Sequence, residues 1–104
     1  MPAYLRPISQ SEALAALAQG KLTVLAGGTD YYPSRVGQAL ADDILDISAI
    51  ASLRGIGDEG DHWRIGATST WSDIVAAELP PLFDGLKAAA REIGGVQIQN
   101  AGTL

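Results

Sequence analysis

Five residues in the first third of the chain, Ala26-Gly27-Gly28-Thr29-Asp30, have the types and order of an anion cradle. The apolar pair Val24-Leu25 runs into two glycines, which tolerate positive φ and a close approach of backbone to another group. Asp30 stands where it can cap a following helix, and Pro33 is tolerated in a first helical turn. Strand, glycine loop and helix start follow one another. Backbone N–H groups at such a junction can converge on a phosphate, which also meets a favourable dipole. The same residues equally make an ordinary capped turn. G-x-G-x-x-G is absent and no lysine follows the glycines, so neither usual phosphate fingerprint is present.

A second small-residue junction is Ile65-Gly66-Ala67-Thr68-Ser69-Thr70. Gly66 and Ala67 suit close packing of helix on strand, and the hydroxyls beside them suit a ligand lying across the junction. Other reactive types are sparse. His62, the single histidine, adjoins the polar turn Asp58-Glu59-Gly60-Asp61 and lacks neighbours at metal-ligand spacing, so it reads as a surface residue. With no cysteine the chain has no thiolate nucleophile, disulfide or cysteine metal site. Lys87 and Arg91, four apart, read as a solvated helix face. We nominate no catalytic residue and no metal ligand.

Composition narrows the classes. The chain has 104 residues, 47% of them hydrophobic and 18% charged, as expected of one folded domain or part of one. Seven basic against twelve acidic residues give a net charge of −5, and no basic stripe offers itself to nucleic acid. An anion site here would depend on backbone donors more than on cationic side chains. Ala13 to Ala18 is too short to span a membrane, and no signal-peptide pattern opens the chain. We therefore expect a soluble, cytoplasmic protein with no membrane span.

The elements that must position these junctions form an α/β pattern. Ala3–Leu5 is a short strand stopped by Pro7, and Ser9-Gln10-Ser11-Glu12 has capping-box spacing before a helix over Gln10–Gln19. That helix presents Leu14 and Leu17 on its apolar face and stops at Gly20. Lys21–Ala26 reads as a buried strand, Tyr32–Leu40 as weakly helical, and Ile44–Ile47 as a strand. Leu53–Gly57 and His62–Ile65 pair around the polar turn. Thr70 and Asp73 are spaced to cap a helix carrying Trp71, Ile74, Val75 and Leu79. Pro80-Pro81 breaks it, and Phe83, Leu86, Ala90 and Ile93 line one face of the next helix, which Gly94-Gly95 ends. In Val96-Gln97-Ile98-Gln99 the apolar residues alternate as in a half-buried strand, and the chain then stops inside a Gly-Thr-Leu turn. We read it as a fragment.

Three segments in this order carry a resemblance: Leu25-Ala26-Gly27-Gly28-Thr29-Asp30, Ile65-Gly66-Ala67-Thr68 and Gln97-Ile98-Gln99-Asn100-Ala101-Gly102-Thr103-Leu104. Together they resemble the FAD-binding domain of molybdenum hydroxylases, the medium subunit of xanthine dehydrogenase-like and carbon monoxide dehydrogenase-like complexes. The resemblance implies an α/β fold (α+β overall), the N-terminal subdomain of a vanillyl-alcohol-oxidase-like FAD-binding domain. Residues 1–104 would be its small sheet flanked by helices, truncated before a Gly-Gly-Asn turn. It also implies that the backbone of Ala26, Gly27, Gly28 and Thr29, with the Thr29 hydroxyl, holds the FAD pyrophosphate. Asp30 would act as a cap or through its N–H, because a carboxylate about 4 Å from a phosphate charge costs roughly 4 kcal/mol at an effective dielectric near 20. Ala67 and Thr68 are implied flavin contacts, and Thr103 and Leu104 lead into the turn that completes the site. Gln99 stands where many relatives carry arginine, and Tyr31-Tyr32 where aliphatic residues are common.

The resemblance implies an electron-transfer subunit of a multi-subunit oxidoreductase. Electrons would pass from iron–sulfur clusters through FAD to an acceptor. Molybdopterin would sit in a large partner subunit and the 2Fe-2S clusters in a small one. Two other readings stand beside it: a structural or interaction fragment that binds no flavin and self-associates, and another nucleotide-binding α/β domain using the same loop.

Overall fold

The structure, a computed structural model, describes residues 3–29, 31–33 and 42–104. Three short parallel strands make one sheet: β1 (Tyr4–Leu5), β2 (Thr23–Leu25) and β3 (Ile44–Asp46), in the spatial order β1-β3-β2. Tyr4 pairs with Ile44, and Leu25 with Asp46. A parallel pair needs a crossover, and helix α1 (Gln10–Gln19) lies in the one joining β1 to β2. The central strand is covered on both faces, so Ile44, Leu45 and Asp46 are all buried while Tyr4, Leu5 and Val24 on its flanks are exposed. The expected buried strand at Lys21–Ala26 is thus shorter, and only its Leu25 is buried.

Ser9 caps α1, its Oγ accepting from the Glu12 N–H at 3.2 Å. The helix turns Ala13 and Ala16 toward Leu45 and Ile50, whereas Leu14 stays 59% exposed and Leu17 38%. The expected Leu14–Leu17 face is therefore not the buried one. Strands of two or three residues offer a narrow platform, and alanines let the helix approach it closely.

A 3₁₀ turn (Ala51–Leu53) leads to an antiparallel hairpin of β4 (Ile56–Asp58) and β5 (Trp63–Ile65). The first hairpin strand starts later than expected because Gly55, at φ +128°, separates it from the turn. Helix α2 (Trp71–Ala76) is shorter than its apolar stripe, which runs on to Leu79 before Pro80. A second 3₁₀ turn (Pro81–Phe83) opens α3 (Asp84–Arg91), and the Phe83 ring meets Trp63 edge-on at 5.8 Å. Ile74 and Ala90 are fully buried. Lys87 does not face solvent freely: its ammonium donates to the Ala77 carbonyl at the end of α2.

Val96–Ala101 forms helix α4, not a strand. Two apolar residues two apart cannot decide between periods, and glutamine and alanine favour the helix. Its turns close through Gln99 N–H to Gly95 O (3.0 Å) and Gly102 N–H to Ile98 O (2.7 Å). Of the Tyr32–Leu40 helix expected from the sequence, residues 34–40 lie outside the described residues; Tyr31–Pro33 form a turn. No helix among the described residues is long and apolar enough to cross a membrane.

Candidate functional site

The glycine loop leaves the end of β2 and turns on Gly28, whose φ of +73° suits a residue without a β-carbon. A β-carbon there would also lie 2.7 Å from the Tyr32 ring, which covers it. The turn closes through the Tyr32 N–H donating to Gly28 O at 3.2 Å. Gly27 faces the other way, where its missing β-carbon would lie 2.2 Å from Ala101 O. The N–H groups of Gly27, Gly28 and Thr29 donate to no acceptor among the described residues. Asp30, expected as cap, lies outside the described residues.

The end of α4 is held against both this loop and the start of α2. A β-carbon on Gly102 would meet Ile98 O at 3.0 Å, Thr29 Oγ1 at 3.1 Å and the Trp71 ring at 3.3 Å. Thr103 forms an antiparallel bridge with Thr70, in which Trp71 N–H donates to Gly102 O and Leu104 N–H to Ser69 O, each at 3.1 Å. Ser72 Oγ donates to Asn100 Oδ1, a second tie between α2 and α4. Segments 28 or more residues apart in sequence thus share one small region.

Behind that region, Thr70 and Asp73 make a reciprocal capping box at α2. Asp73 also accepts two 2.9 Å bonds from the Arg54 guanidinium, which hold its carboxyl below the ordinary range against the opposing effect of burial. Fully buried Ser69 accepts from Gly55 N–H at 3.0 Å, pinning the hairpin to the cap. Gly66 is a packing glycine: its β-carbon would lie 2.2 Å from Leu53 O.

The sequence-derived site residues separate at this point. Gly27 and Thr29 meet the 101–104 segment, and Gly28 shapes the turn between them. Thr68 is buried, and its Oγ1 has no hydrogen-bond partner. Ala67 is exposed, and Leu104 has committed its N–H to Ser69. Sequence reasoning missed Gly102, Trp71 and Ser69 as the parts that bring the junctions together. The small-residue run through Ser69 and the Thr70–Asp73 spacing carried that signal, but as a cap rather than a meeting point.

The same end of the sheet, on the neighbouring strand, holds a carboxylate that sequence reading passed over. Asp46 pairs with Leu25 where β2 delivers the loop, and Ile47 N–H donates to Leu25 O at 2.9 Å. Burial pushes the Asp46 carboxyl up, but bonds from Ser48 Oγ (2.6 Å), the Tyr4 hydroxyl and Ser48 N–H (2.9 Å), with Arg6 beside it, outweigh that and hold it below the usual range. The Tyr4 hydroxyl is pushed up to about 12, first by its bond to Asp46 and then by burial.

Residues 1–104 match the family model for the FAD binding domain in molybdopterin dehydrogenase. The chain belongs to that family. It is 37% identical over 109 residues to the carbon monoxide dehydrogenase medium chain of Hydrogenophaga pseudoflava, covering 97% of this chain and 37% of that one. The solved carbon monoxide dehydrogenase of that organism, in a form lacking the Mo-pyranopterin moiety of its cofactor, superposes with a TM-score of 0.79 at 34% identity over 98% of this chain and 37% of that one. Reconstituted CO dehydrogenase from Oligotropha carboxidovorans gives a TM-score of 0.81 at 26% identity, over 99% of this chain and 37% of that one. Quinoline 2-oxidoreductase from Pseudomonas putida 86 shares the fold, with a TM-score of 0.75 at 18% identity, covering 99% of this chain and 37% of that one. The chain therefore spans a little over a third of the length of these relatives, and the fold expected from the sequence is the one they have.

Proposed function

We propose that this chain is the first part of an FAD-binding electron-transfer subunit of a molybdopterin-dependent oxidoreductase. In such an enzyme, electrons from iron–sulfur clusters reach an acceptor by way of FAD. The supporting observation is the convergence of Gly27 and Thr29 on Ala101-Gly102 beside N–H groups that donate to no described acceptor. A pyrophosphate needs several oriented donors and little competing negative charge, and uncommitted N–H groups with the Thr29 hydroxyl supply the first. The buried, unpartnered Thr68 hydroxyl has the property expected of a group completed by a ligand.

In that reading Ala26, Gly27, Gly28 and Thr29 bind and orient the pyrophosphate, and Asp30 caps the following chain. Thr68, Ala67, Thr103 and Leu104 line the neighbouring wall; Leu104 would contribute its side chain or carbonyl, since its N–H is engaged. Bound FAD would supply the redox chemistry, and the protein would hold and tune it. The molybdopterin and iron–sulfur centres would belong to a large and a small partner subunit, all in the cytoplasm.

The complete protein should purify yellow with stoichiometric FAD, and Gly28→Asp should strip it. A colourless preparation that gives no heat with FAD in calorimetry overturns the reading, and preference for ATP would install a different nucleotide-binding domain. Residues 1–104 alone should hold FAD weakly, because the resemblance places part of the site after Leu104.

A further inference from the structure

Residues 53–55 grip residues 66–73 through a row of bonds, one of which comes from a charged side chain that the flavin reading does not use. Leu53 O accepts from Thr68 N–H at 2.9 Å, Gly55 O from Gly66 N–H at 2.8 Å, and Gly55 N–H donates to Ser69 Oγ at 3.0 Å. Arg54 stands between them, and its own N–H donates to Ala51 O at 3.2 Å, so the root of its side chain is fixed. Its Nε and Nη2 donate to Oδ2 and Oδ1 of Asp73, each at 2.9 Å. Asp73 Oδ2 also accepts from Thr70 N–H at 2.9 Å, so the arginine fork and the helix cap share one oxygen. A carboxylate gripped at both oxygens is held from rotating out of the cap. The residues on either side of Thr70 carry the bridge to the end of α4: Ser69 O accepts from Leu104 N–H and Trp71 N–H donates to Gly102 O, each at 3.1 Å. Gly102 in turn lies against Thr29 of the glycine loop. The Arg54 side chain is 59% exposed, so its charge needs no protein partner for hydration, and what the pair adds is a fixed Asp73.

We infer that Arg54 is a positioning residue for the flavin site, acting through Asp73 and Thr70 to hold the bridge that seats Gly102-Thr103-Leu104 beside the glycine loop. Its consequence for binding rests on the FAD reading, whereas the link from Arg54 to the bridge does not. Arg54 fixes the Asp73 carboxylate, the carboxylate fixes Thr70 N–H, and the backbone on either side of Thr70 fixes Gly102 and Leu104. The guanidinium touches no cofactor in this scheme.

Two measurements on the complete protein test it. The first needs no flavin: exchange of the Trp71 and Leu104 amides, resolved by fragmentation in the mass spectrometer, with α1 as internal reference. Arg54→Met should speed both about fivefold, the upper end for an exposed ion pair and fitting for two parallel bonds, and leave α1 unchanged. Asp73→Ala, which removes the cap as well, should speed them about tenfold, and adding Arg54→Met to it should change nothing further. A residue that only caps α2 would speed Ile74, whose N–H bonds Thr70 O, and leave Leu104 as it was. That outcome overturns the inference, as does an equal rise in α1 or an additive effect in the double variant. The second measurement is FAD release, followed by the rise of flavin fluorescence on dilution. Arg54→Met should speed it about fivefold, in step with Leu104 exchange, and unchanged release beside faster exchange overturns the role in the flavin site. If exchange responds as expected while the unmodified protein holds no FAD, the flavin reading fails and the link from Arg54 to the bridge stands.

Discussion

The α-carbon of Gly27 sits so close to the Ala101 carbonyl that a β-carbon on it would lie 2.2 Å from that oxygen. No side chain fits there without moving the loop or the end of α4. Gly27→Ala should therefore cost about 1–3 kcal/mol, as overpacking of a close backbone contact does. In the flavin-loaded protein it should also release FAD on dilution. Thermal unfolding with absorbance at the flavin band reads both, and a Tm equal to the parent would mean the two segments are not in contact.

Gly28 differs from Gly27 in being limited by conformation as well as by space. At φ +73°, and with a β-carbon 2.7 Å from the Tyr32 ring, Gly28→Ala should lose about 1–3 kcal/mol. Gly20 provides the contrast, because nothing lies within 4 Å of its β-position and its φ of 172° is ordinary extended backbone. Gly20→Ala should be neutral or stabilise by up to about 1 kcal/mol through the unfolded chain. Equal effects at the two positions, measured by urea unfolding, would contradict the loop geometry.

How far these positions were legible in the sequence follows from what kind of signal each carried. Ser9 and Thr70 announced their helices because a cap is a local bond, written within four residues. The glycine loop announced its turn for the same reason. Helix α4 did not, because two apolar residues in a six-residue segment fit either period and the choice is made by contacts with α2. Leu14 and Leu17 misled because hydrophobicity marks a candidate face, whereas the short strands beneath select the alanines. Asp46 was overlooked since a carboxylate inside an apolar run is normally a boundary; only the sheet order, with β3 in the centre, makes it buried and in need of partners. The meeting of Gly27 with Ala101 has no local signature, and order of motifs was the single clue to it.

Among the described residues, two depressed carboxylates set the acid side of stability. A group whose folded pKa lies below its unfolded value, about 3.9 for aspartate, adds stability above that value and loses it as pH falls through the folded one. Asp46 and Asp73 both shift that way, so unfolding free energy should hold steady down to about pH 5 and decline below about pH 4. Tyr4 acts at the opposite end with the opposite sign. Its pKa is raised to about 12, so its contribution is complete below the free phenol's value of about 10 and disappears between the two. Tyr4→Phe should abolish the alkaline loss and leave the acid limb to Asp73 and to Asp46, which keeps its bonds from Ser48. Denaturant midpoints from pH 3 to 11 would show it, and an unchanged alkaline limb would exclude Tyr4 as its source.

Thr68 offers the sharpest separation of folding from binding. Its Oγ1 is buried without a partner, so the hydroxyl lowers the stability of the empty protein and gives nothing back. Thr68→Val replaces it with a methyl group of similar shape, and the flavin-free protein should gain about 1 kcal/mol. If the hydroxyl meets a polar group of bound FAD, the same variant should weaken flavin binding about tenfold, the cost of leaving a ligand group unpaired in a buried site. Stability and affinity then move in opposite directions on one substitution, which a purely structural threonine would not produce. Gain of stability with unchanged FAD affinity would remove Thr68 from the flavin site while leaving the glycine loop in it.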